Sequence, residues 1–119
     1  MRIGELSART GVSVRSLRYY EEQGLLASSR SASGQRHYDE AAVERVRFIQ
    51  LLYTAGLSSK TVADLLPCAY APSEQTSDAA ADRMIQERER LSAHIDELLR
   101  TRDILDGLIA TNRAHRATL

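Results

Sequence analysis

The sequence is poor in aromatic residues and in cysteine. Tyr, Phe and Trp make up 5% of its 119 residues, and tryptophan is absent. So few rings argue against a large ligand pocket with aromatic walls. The only cysteine, Cys68, has no partner for an internal disulfide. For this length we expect one compact domain with an appendage.

Catalytic and metal-binding motifs are also missing. The sequence contains no Gly-rich phosphate loop, no serine elbow and no HExxH pair. Its histidines, His37, His94 and His115, are scattered, whereas a metal site needs several ligands within reach. We therefore expect no enzyme, no metal and no cofactor. Because no signal peptide or long apolar run is visible, we expect a cytoplasmic protein without membrane contact.

The formal net charge is zero, but the charges are unevenly distributed. Residues 1–38 contain six arginines and three glutamates, a net of +3, while residues 61–82 contain four acids and no lysine or arginine, a net of −4. Contact with phosphates depends on local charge rather than on the chain total. The N-terminal third is therefore the part suited to binding nucleic acid.

Two short amphipathic helices are predicted in this basic region, over about residues 3–10 and 14–23. Gly11 tolerates the sharp turn between them, Ser13 is a good N-cap for the second helix and Gly24 ends it. The apolar spacing of about 3.6 residues predicts a helix-turn-helix. Its small core would consist of Leu6, Val12, Leu17 and Tyr20.

The outer face of the second helix carries the candidate DNA contacts. Arg15, Arg18 and Tyr19 share this face with Glu22, at i, i+3, i+4 and i+7. An outward arginine in such a helix can bridge phosphates or bind guanine, and a neighbouring tyrosine can donate to a phosphate. The alternative is a solvated face with an ion pair between Arg18 and Glu22.

A two-stranded wing is predicted next. Extended runs at residues 25–27 and 36–38 flank a Ser/Gly turn near Gly34. Arg36 and Tyr38 lie at i and i+2, so they would share one strand face and both could contact DNA. The alternative is an ordinary hairpin face.

Two more helices and a linker are predicted before residue 81. A helix over about 40–55 begins after Asp39 and stops at Gly56, and another over 59–66 is capped by Ser58 and ended by Pro67. Residues 67–80 contain both prolines and are expected to be a linker or irregular loop. The core face of the first of these helices would consist of Ala42, Val46, Ile49 and Tyr53.

One long helix is predicted over residues 81–112, followed by a tail at 113–119. Apolar residues form the a and d positions of four heptads: Met84, Leu91, Ile95, Leu98, Leu105 and Ile109. Such a seam needs a partner, so we expect self-association; folding back onto the preceding helices is the alternative. Arg88 and Arg102 also occupy a positions, where two parallel chains would bring them face to face, so an antiparallel pairing or packing on another element is favoured.

These motifs resemble a known family. The run IGELSARTGVSVRSLRYYEEQGLL, followed by SGQRHYDEAAVERVRFIQLLYTAGLSSKTVADLL, is similar to the winged helix-turn-helix domain of MerR-family bacterial transcription regulators over residues 1–66. The long helix is similar to the family's antiparallel dimerisation helix. The resemblance implies a mainly α fold: a winged helix-turn-helix domain with a small two-stranded wing, then a coiled-coil dimerisation helix.

The resemblance also implies a function. Family members bind palindromic promoter operators as homodimers, and an effector lets the dimer distort the spacer DNA, which acts on RNA polymerase indirectly through the promoter. By motif match, Arg15, Arg18, Tyr19, Arg36 and Tyr38 would contact double-stranded DNA. The cysteine sets of metal-sensing and iron–sulfur members are absent, so the effector stays unknown.

Two other functions are compatible with the sequence. Cys68 could be the trigger of a thiol-based redox regulator with the same architecture, although a structural cysteine after a helix end is the simpler interpretation. A protein–protein adaptor that uses the long helix is the other alternative. Binding of DNA through the arginine-bearing helix distinguishes the adaptor from the regulator.

Overall fold

The computed structural model describes residues 1–119, which fold into six helices and two short strands. The chain divides into two compact units, Met1–Ala80 and Ala81–Leu119. The predicted fold class, mainly α with a two-stranded wing and a long C-terminal helix, is confirmed. The elements are α1 Ile3–Thr10, α2 Val14–Glu22, β1 Ser29–Arg30, β2 Arg36–His37, α3 Ala41–Thr54, α4 Ser59–Leu65, α5 Pro67–Tyr70 and α6 Glu74–Ala117.

The helix-turn-helix is closed by local hydrogen bonds at both sides of its turn. Gly11 has φ 74°, in the left-handed region that glycine adopts without strain, and its N–H donates to the carbonyl of Ser7. The Ser13 hydroxyl accepts a hydrogen bond from the N–H of Ser16 at 3.1 Å, so it caps α2 as predicted. The two helices therefore begin and end within a residue of their expected positions.

The core of the first unit forms around the predicted helix-turn-helix residues. Leu6, Val12, Leu17 and Tyr20 are all buried, as the 3.6-residue spacing predicted. On α3, Tyr53 is partly buried and stacks on Tyr20, with ring centroids 5.7 Å apart. The remaining buried apolar residues are Leu25, Leu26, Tyr38, Ala42, Val43, Val46, Ile49, Leu52, Val62, Leu65, Leu66 and Ala80.

The wing is an antiparallel pair whose first strand lies later than predicted. Its register pairs Ser29 with His37 and Arg30 with Arg36. The predicted first strand at residues 25–27 is wrong because Leu25 and Leu26 are buried in the core. The Leu25 N–H donates to the carbonyl of Tyr20, so this stretch completes the end of α2 rather than a strand.

The caps of α3 and α4 follow the predicted residues. An Asp39 carboxylate oxygen accepts from the N–H of Ala42 at 2.9 Å, and Gly56, with φ 82°, follows α3. The Ser58 hydroxyl accepts from the N–H of Thr61 at 3.2 Å. Each cap depends on residues within four positions of one another, so the caps could be predicted from the local sequence.

Residues 67–80 are not the irregular loop or linker that their composition predicted. Pro67 begins the short helix α5, where its missing N–H leaves no hydrogen bond unmade. After residues 71–73, the Ser73 hydroxyl accepts from the N–H of Thr76 at 3.0 Å, and α6 starts at Glu74. Most of the segment is therefore helical.

The second unit is a single helical stretch, the continuation of α6. The helix extends to Ala117, so the predicted tail at 113–119 is wrong for all but its last two residues. The six seam residues Met84, Leu91, Ile95, Leu98, Leu105 and Ile109 are between 47% and 54% exposed. No helix of the chain combines the length and the apolarity needed to cross a bilayer.

Candidate DNA-binding surface

Helix α2 presents one face to the core and the other to solvent. Leu17 and Tyr20 are buried, which fixes the rotation of the helix about its axis. The side chains of Arg15, Arg18 and Tyr19 consequently lie on the exposed face. Neither Arg15 nor Arg18 takes part in any ion pair of the structure, so both guanidinium groups are free to bind an anion.

Arg18 and Arg36 meet at one groove between α2 and the wing. The groove is open, has a volume of about 390 Å³ and is lined by Arg18, Glu21, Glu22 and Arg36. The two arginines are 18 residues apart in sequence and come from different elements. The fold thus places two of the predicted site residues along one groove, beside the carboxylates of Glu21 and Glu22.

Glu21 joins α2 to the second wing strand. One carboxylate oxygen lies 3.4 Å from a guanidinium nitrogen of Arg36, and the other accepts a hydrogen bond from the hydroxyl of Tyr38. The Glu21 side chain is only 15% exposed, so this pair is shielded more than an ordinary surface ion pair. The sequence did not indicate this role of Glu21, because its contacts with Arg36 and Tyr38 join residues that are far apart in the chain.

The i, i+2 spacing predicted that Tyr38 and Arg36 share one exposed face of the strand, and the structure differs. Strand β2 ends at His37, and Tyr38 is 3% exposed, within the core. Its backbone is also held by the N-terminus, since the Tyr38 N–H donates to the carbonyl of Met1 at 2.7 Å. The expectation of a common face is therefore wrong, and Tyr38 supports the wing from inside.

Tyr19 is anchored at its hydroxyl and exposed along its ring. The hydroxyl lies 3.0 Å from the Ser59 hydroxyl, at the start of α4, and Ser59 in turn lies 2.8 Å from the Tyr53 hydroxyl. The Tyr19 side chain is nevertheless 42% exposed. Helix α4 thus positions the tyrosine, a role for Ser59 that the sequence pattern did not reveal.

Three other arginines of the first unit form hydrogen bonds within the protein. Arg9 forms a two-pronged pair with Glu40, at 2.8 and 2.7 Å, and this hydrogen bonding holds the pKa of the Glu40 carboxyl below its ordinary value. Arg30 donates to the carbonyl of Gly34 within the wing turn. Arg2 donates to the side chain of Gln35. These contacts use part of their donor capacity within the protein.

Cys68 lies in α5, partly buried against the core. No second cysteine exists in the chain, and no group of three or more His, Cys, Asp or Glu side chains is placed to hold a metal ion. Its surroundings are those of a small apolar side chain in packing contact. Nothing in its geometry favours the redox alternative.

The fold and this surface define a class, the winged helix-turn-helix DNA-binding proteins. Over residues 1–68 the sequence matches the MerR HTH family regulatory proteins, and over residues 43–108 it matches the family described as MerR, DNA binding. The chain belongs to the MerR family. It is a DNA-binding transcriptional regulator and not an enzyme.

Individual relatives agree with this assignment. An HTH-type transcriptional activator SoxR homolog from Chromobacterium violaceum is 38% identical over 109 residues, which cover 90% of this chain and 72% of that protein. A MerR family regulator from Listeria monocytogenes has 32% identity and a TM-score of 0.68, covering 92% of this chain and 83% of the other.

A third comparison concerns a complex with DNA. The crystal structure of HiNmlR, a MerR family regulator lacking the sensor domain and bound to promoter DNA, has a TM-score of 0.64. The match covers 87% of this chain and 78% of that one. At 22% identity it shows that the fold is shared.

Proposed function

We propose that this regulator binds a promoter operator sequence-specifically through α2 and the wing, with Arg15, Arg18, Tyr19 and Arg36 as the contacting residues. The observation that carries the proposal is the groove at which Arg18 and Arg36 converge. Because the two arginines come from different elements, one duplex lying across the groove meets both.

Different roles follow from the different positions of these side chains. Arg15 and Arg18, on a helix, suit the major groove, where an arginine can bind guanine or bridge phosphates. Arg36, on the wing, suits the neighbouring sugar–phosphate backbone or the minor groove. Tyr38 then acts as a positioning residue, since its hydroxyl and Arg36 share the Glu21 carboxylate.

A homodimer is the second part of the proposal. The exposed apolar seam of α6 supports it, because an isolated helix cannot bury such a face by itself. Two heads related by a two-fold axis would match a palindromic operator. Distortion of the spacer DNA in response to an effector, with RNA polymerase affected through the promoter, follows the family pattern, as does a cytoplasmic location.

Substitution of Arg18 tests the DNA-binding part. On a duplex selected by the native protein from a random pool, Arg18→Ala should weaken binding by about 1–3 kcal/mol, roughly 5- to 150-fold, and reduce the salt slope by about one unit. Arg9→Ala removes the same charge from the same unit, but Arg9 is already paired with Glu40. We expect this control to bind within about threefold of the native protein.

The two variants together decide the assignment. Equal losses in Arg18→Ala and Arg9→Ala would mean that only overall charge matters. An unchanged affinity and salt slope in Arg18→Ala would remove α2 from the DNA interface and favour the adaptor function.

A further inference from the structure

Hydroxyl groups from three helices form one hydrogen-bonded chain beside the exposed face of α2. The Tyr53 hydroxyl, near the end of α3, lies 2.8 Å from the Ser59 hydroxyl, and the Ser59 hydroxyl lies 3.0 Å from that of Tyr19. Tyr19 and Ser59 are 40 positions apart in the sequence, so only the tertiary fold brings them together. The chain therefore links the interior of the first unit to a proposed DNA contact.

The inner end of this hydroxyl chain is held by packing and by a helix cap. The Tyr53 ring stacks on the ring of Tyr20, which is buried. Ser59 is partly buried and is the first residue of α4, whose start is capped by Ser58. The outer end, Tyr19, is exposed. The hydroxyl chain thus runs from fixed groups in the interior to a side chain at the surface.

The protons of these hydroxyls can be arranged in three ways, and only one of them leaves a proton for DNA. Each hydroxyl donates a single hydrogen bond and can accept others. If both tyrosines donate to Ser59, or if the donors run from Tyr19 through Ser59 to Tyr53, the Tyr19 proton is used inside the protein. If the donors run from Tyr53 through Ser59 to Tyr19, the Tyr19 hydroxyl donates outward. A backbone phosphate of DNA has no proton to donate, so it selects this last arrangement.

We propose that Ser59 is a positioning residue for DNA binding: its hydroxyl accepts from Tyr53 and donates to Tyr19, which directs the Tyr19 proton to a backbone phosphate. This inference rests on the DNA-binding function proposed above and gives Ser59 and Tyr53 roles that need no contact of their own with the duplex. Hydrogen bonds in series polarise one another, which strengthens the outer bond. The chain also holds the Tyr19 side chain before binding, so less conformational freedom is lost when the complex forms.

The alternative is that the same hydrogen bonds only brace α2 against α4. Loss of the Ser59 hydroxyl would then change DNA affinity equally whether or not Tyr19 keeps its own hydroxyl. A positioning role predicts instead that the effect of Ser59 on affinity depends on the Tyr19 hydroxyl. A double-mutant cycle measures this dependence.

The cycle consists of Ser59→Ala, Tyr19→Phe and the double variant, each titrated with a duplex selected by the native protein. Ser59→Ala should weaken binding roughly 2- to 12-fold, the cost of ordering one side chain that is no longer held in place. In the Tyr19→Phe background the same substitution should change affinity by less than about 1.5-fold. Ser59→Thr keeps a hydroxyl that can donate and accept, so it should restore most of the affinity. Urea unfolding establishes that each variant is folded.

Thr54→Val is the matched control for the loss of a neighbouring hydroxyl. Thr54 follows Tyr53 in α3, but its hydroxyl donates to the carbonyl of Gln50 and lies outside the chain. We expect this variant to bind the duplex as tightly as the native protein does.

Neutralising the DNA phosphates one at a time, as methylphosphonates, gives a second readout. A phosphate that Tyr19 contacts should matter less once the Tyr19 hydroxyl is gone. We expect the phosphate whose neutralisation has the least remaining effect in Tyr19→Phe to lose most of its effect in Ser59→Ala as well. Loss of sensitivity at different phosphates in the two variants would contradict the positioning role.

Three results of the cycle overturn the inference: an unchanged affinity in Ser59→Ala, an equal loss with and without the Tyr19 hydroxyl, or a loss in Thr54→Val as large as that in Ser59→Ala. Arg18→Ala on the same duplex separates this failure from failure of the proposed function. If Arg18→Ala binds more weakly while Ser59→Ala binds as the native protein does, only the positioning role is wrong. If Arg18→Ala also binds as the native protein does, DNA binding through α2 is wrong.

Discussion

Arg18 and Arg9 carry the same charge in the same small unit, yet their surroundings leave them differently available to an anion. Arg9 is satisfied by the two carboxylate oxygens of Glu40, while Arg18 has no acidic partner in an ion pair and lines the groove beside the wing. Pairing therefore decides which arginines remain available to phosphates. Residue counts alone, which treat the six N-terminal arginines alike, could not make this distinction.

Two tyrosine-to-phenylalanine substitutions test the roles of the hydroxyls. Tyr38→Phe removes the hydrogen bond to Glu21 and should lower the free energy of unfolding by about 0.5–1.5 kcal/mol. Because this hydroxyl and Arg36 share the Glu21 carboxylate, operator affinity should also fall, but by less than in Tyr19→Phe. Tyr19→Phe, at an exposed position, should weaken binding severalfold if, as proposed, this hydroxyl donates to a phosphate. Denaturant titration and DNA titration measure the two effects. A larger loss of DNA affinity in Tyr38→Phe than in Tyr19→Phe would restore Tyr38 as a direct contact.

Alkaline pH should weaken the core through Tyr20. Burial, and then the neighbouring Tyr53, raise the pKa of Tyr20 above its ordinary value of 10.0. A raised pKa in the folded state means that the stabilisation is complete below pH 10 and is lost as the pH rises through the folded-state pKa. Circular dichroism of urea unfolding between pH 9 and about 11.5 should show this loss. Tyr20→Phe should reduce it, while part should remain because burial also raises the pKa of Tyr70. An equally steep decline in Tyr20→Phe would assign the effect to other groups.

At the scale of elements, local signals were readable from the sequence and tertiary ones were not. The caps at Ser13, Asp39 and Ser58 depend on neighbouring residues only, and the structure confirms each. The prediction placed the first wing strand too early in the chain because Leu25 and Leu26 are buried in the core, and this burial does not follow from local strand propensity. The helical content of residues 67–80 was not predicted, because a proline such as Pro67 is compatible both with the end of one helix and with the first position of the next.

A matched pair of glycines tests the turn of the helix-turn-helix. Gly11 has φ 74° with no neighbouring atoms near an added Cβ, so Gly11→Ala isolates backbone strain and should destabilise by about 1–2 kcal/mol. Gly4 lies within α1 with similar free space, and Gly4→Ala should stabilise by roughly 0.5–1 kcal/mol. Both are measured by urea unfolding. A Gly11→Ala protein as stable as the native one would contradict the left-handed turn.

Two glutamate substitutions on α6, one inside the apolar seam and one outside it, test self-association through the seam. Leu98→Glu places a charge at a d position and should weaken self-association by roughly 2 kcal/mol per copy, about 30-fold each. Ile104→Glu changes a residue that is 65% exposed at a c position outside the seam, and should leave association unchanged. Analytical ultracentrifugation over a concentration series gives both constants. Equal effects of the two substitutions would mean that α6 associates through a different face.

At the scale of the whole molecule, a zero net charge coexists with a basic N-terminal segment. Residues 1–38 have a net charge of +3 and residues 61–82 a net charge of −4, so the total conceals the part that attracts DNA. The family and the long helix were recognisable from the sequence, because the motif and the heptads are patterns in the chain. The contact of Arg36 with Glu21 and the burial of Tyr38 were not, because both depend on how the wing packs against α2.

The most direct test of DNA binding by a two-headed dimer is protection mapping on genomic sites selected by the purified protein. We expect two inverted half-sites on one face of the duplex, about one helical turn or a multiple of it apart, with protection of both lost together in Arg18→Ala. Protection of a single half-site, or a two-part footprint that persists in Arg18→Ala with an unchanged salt slope, would contradict it.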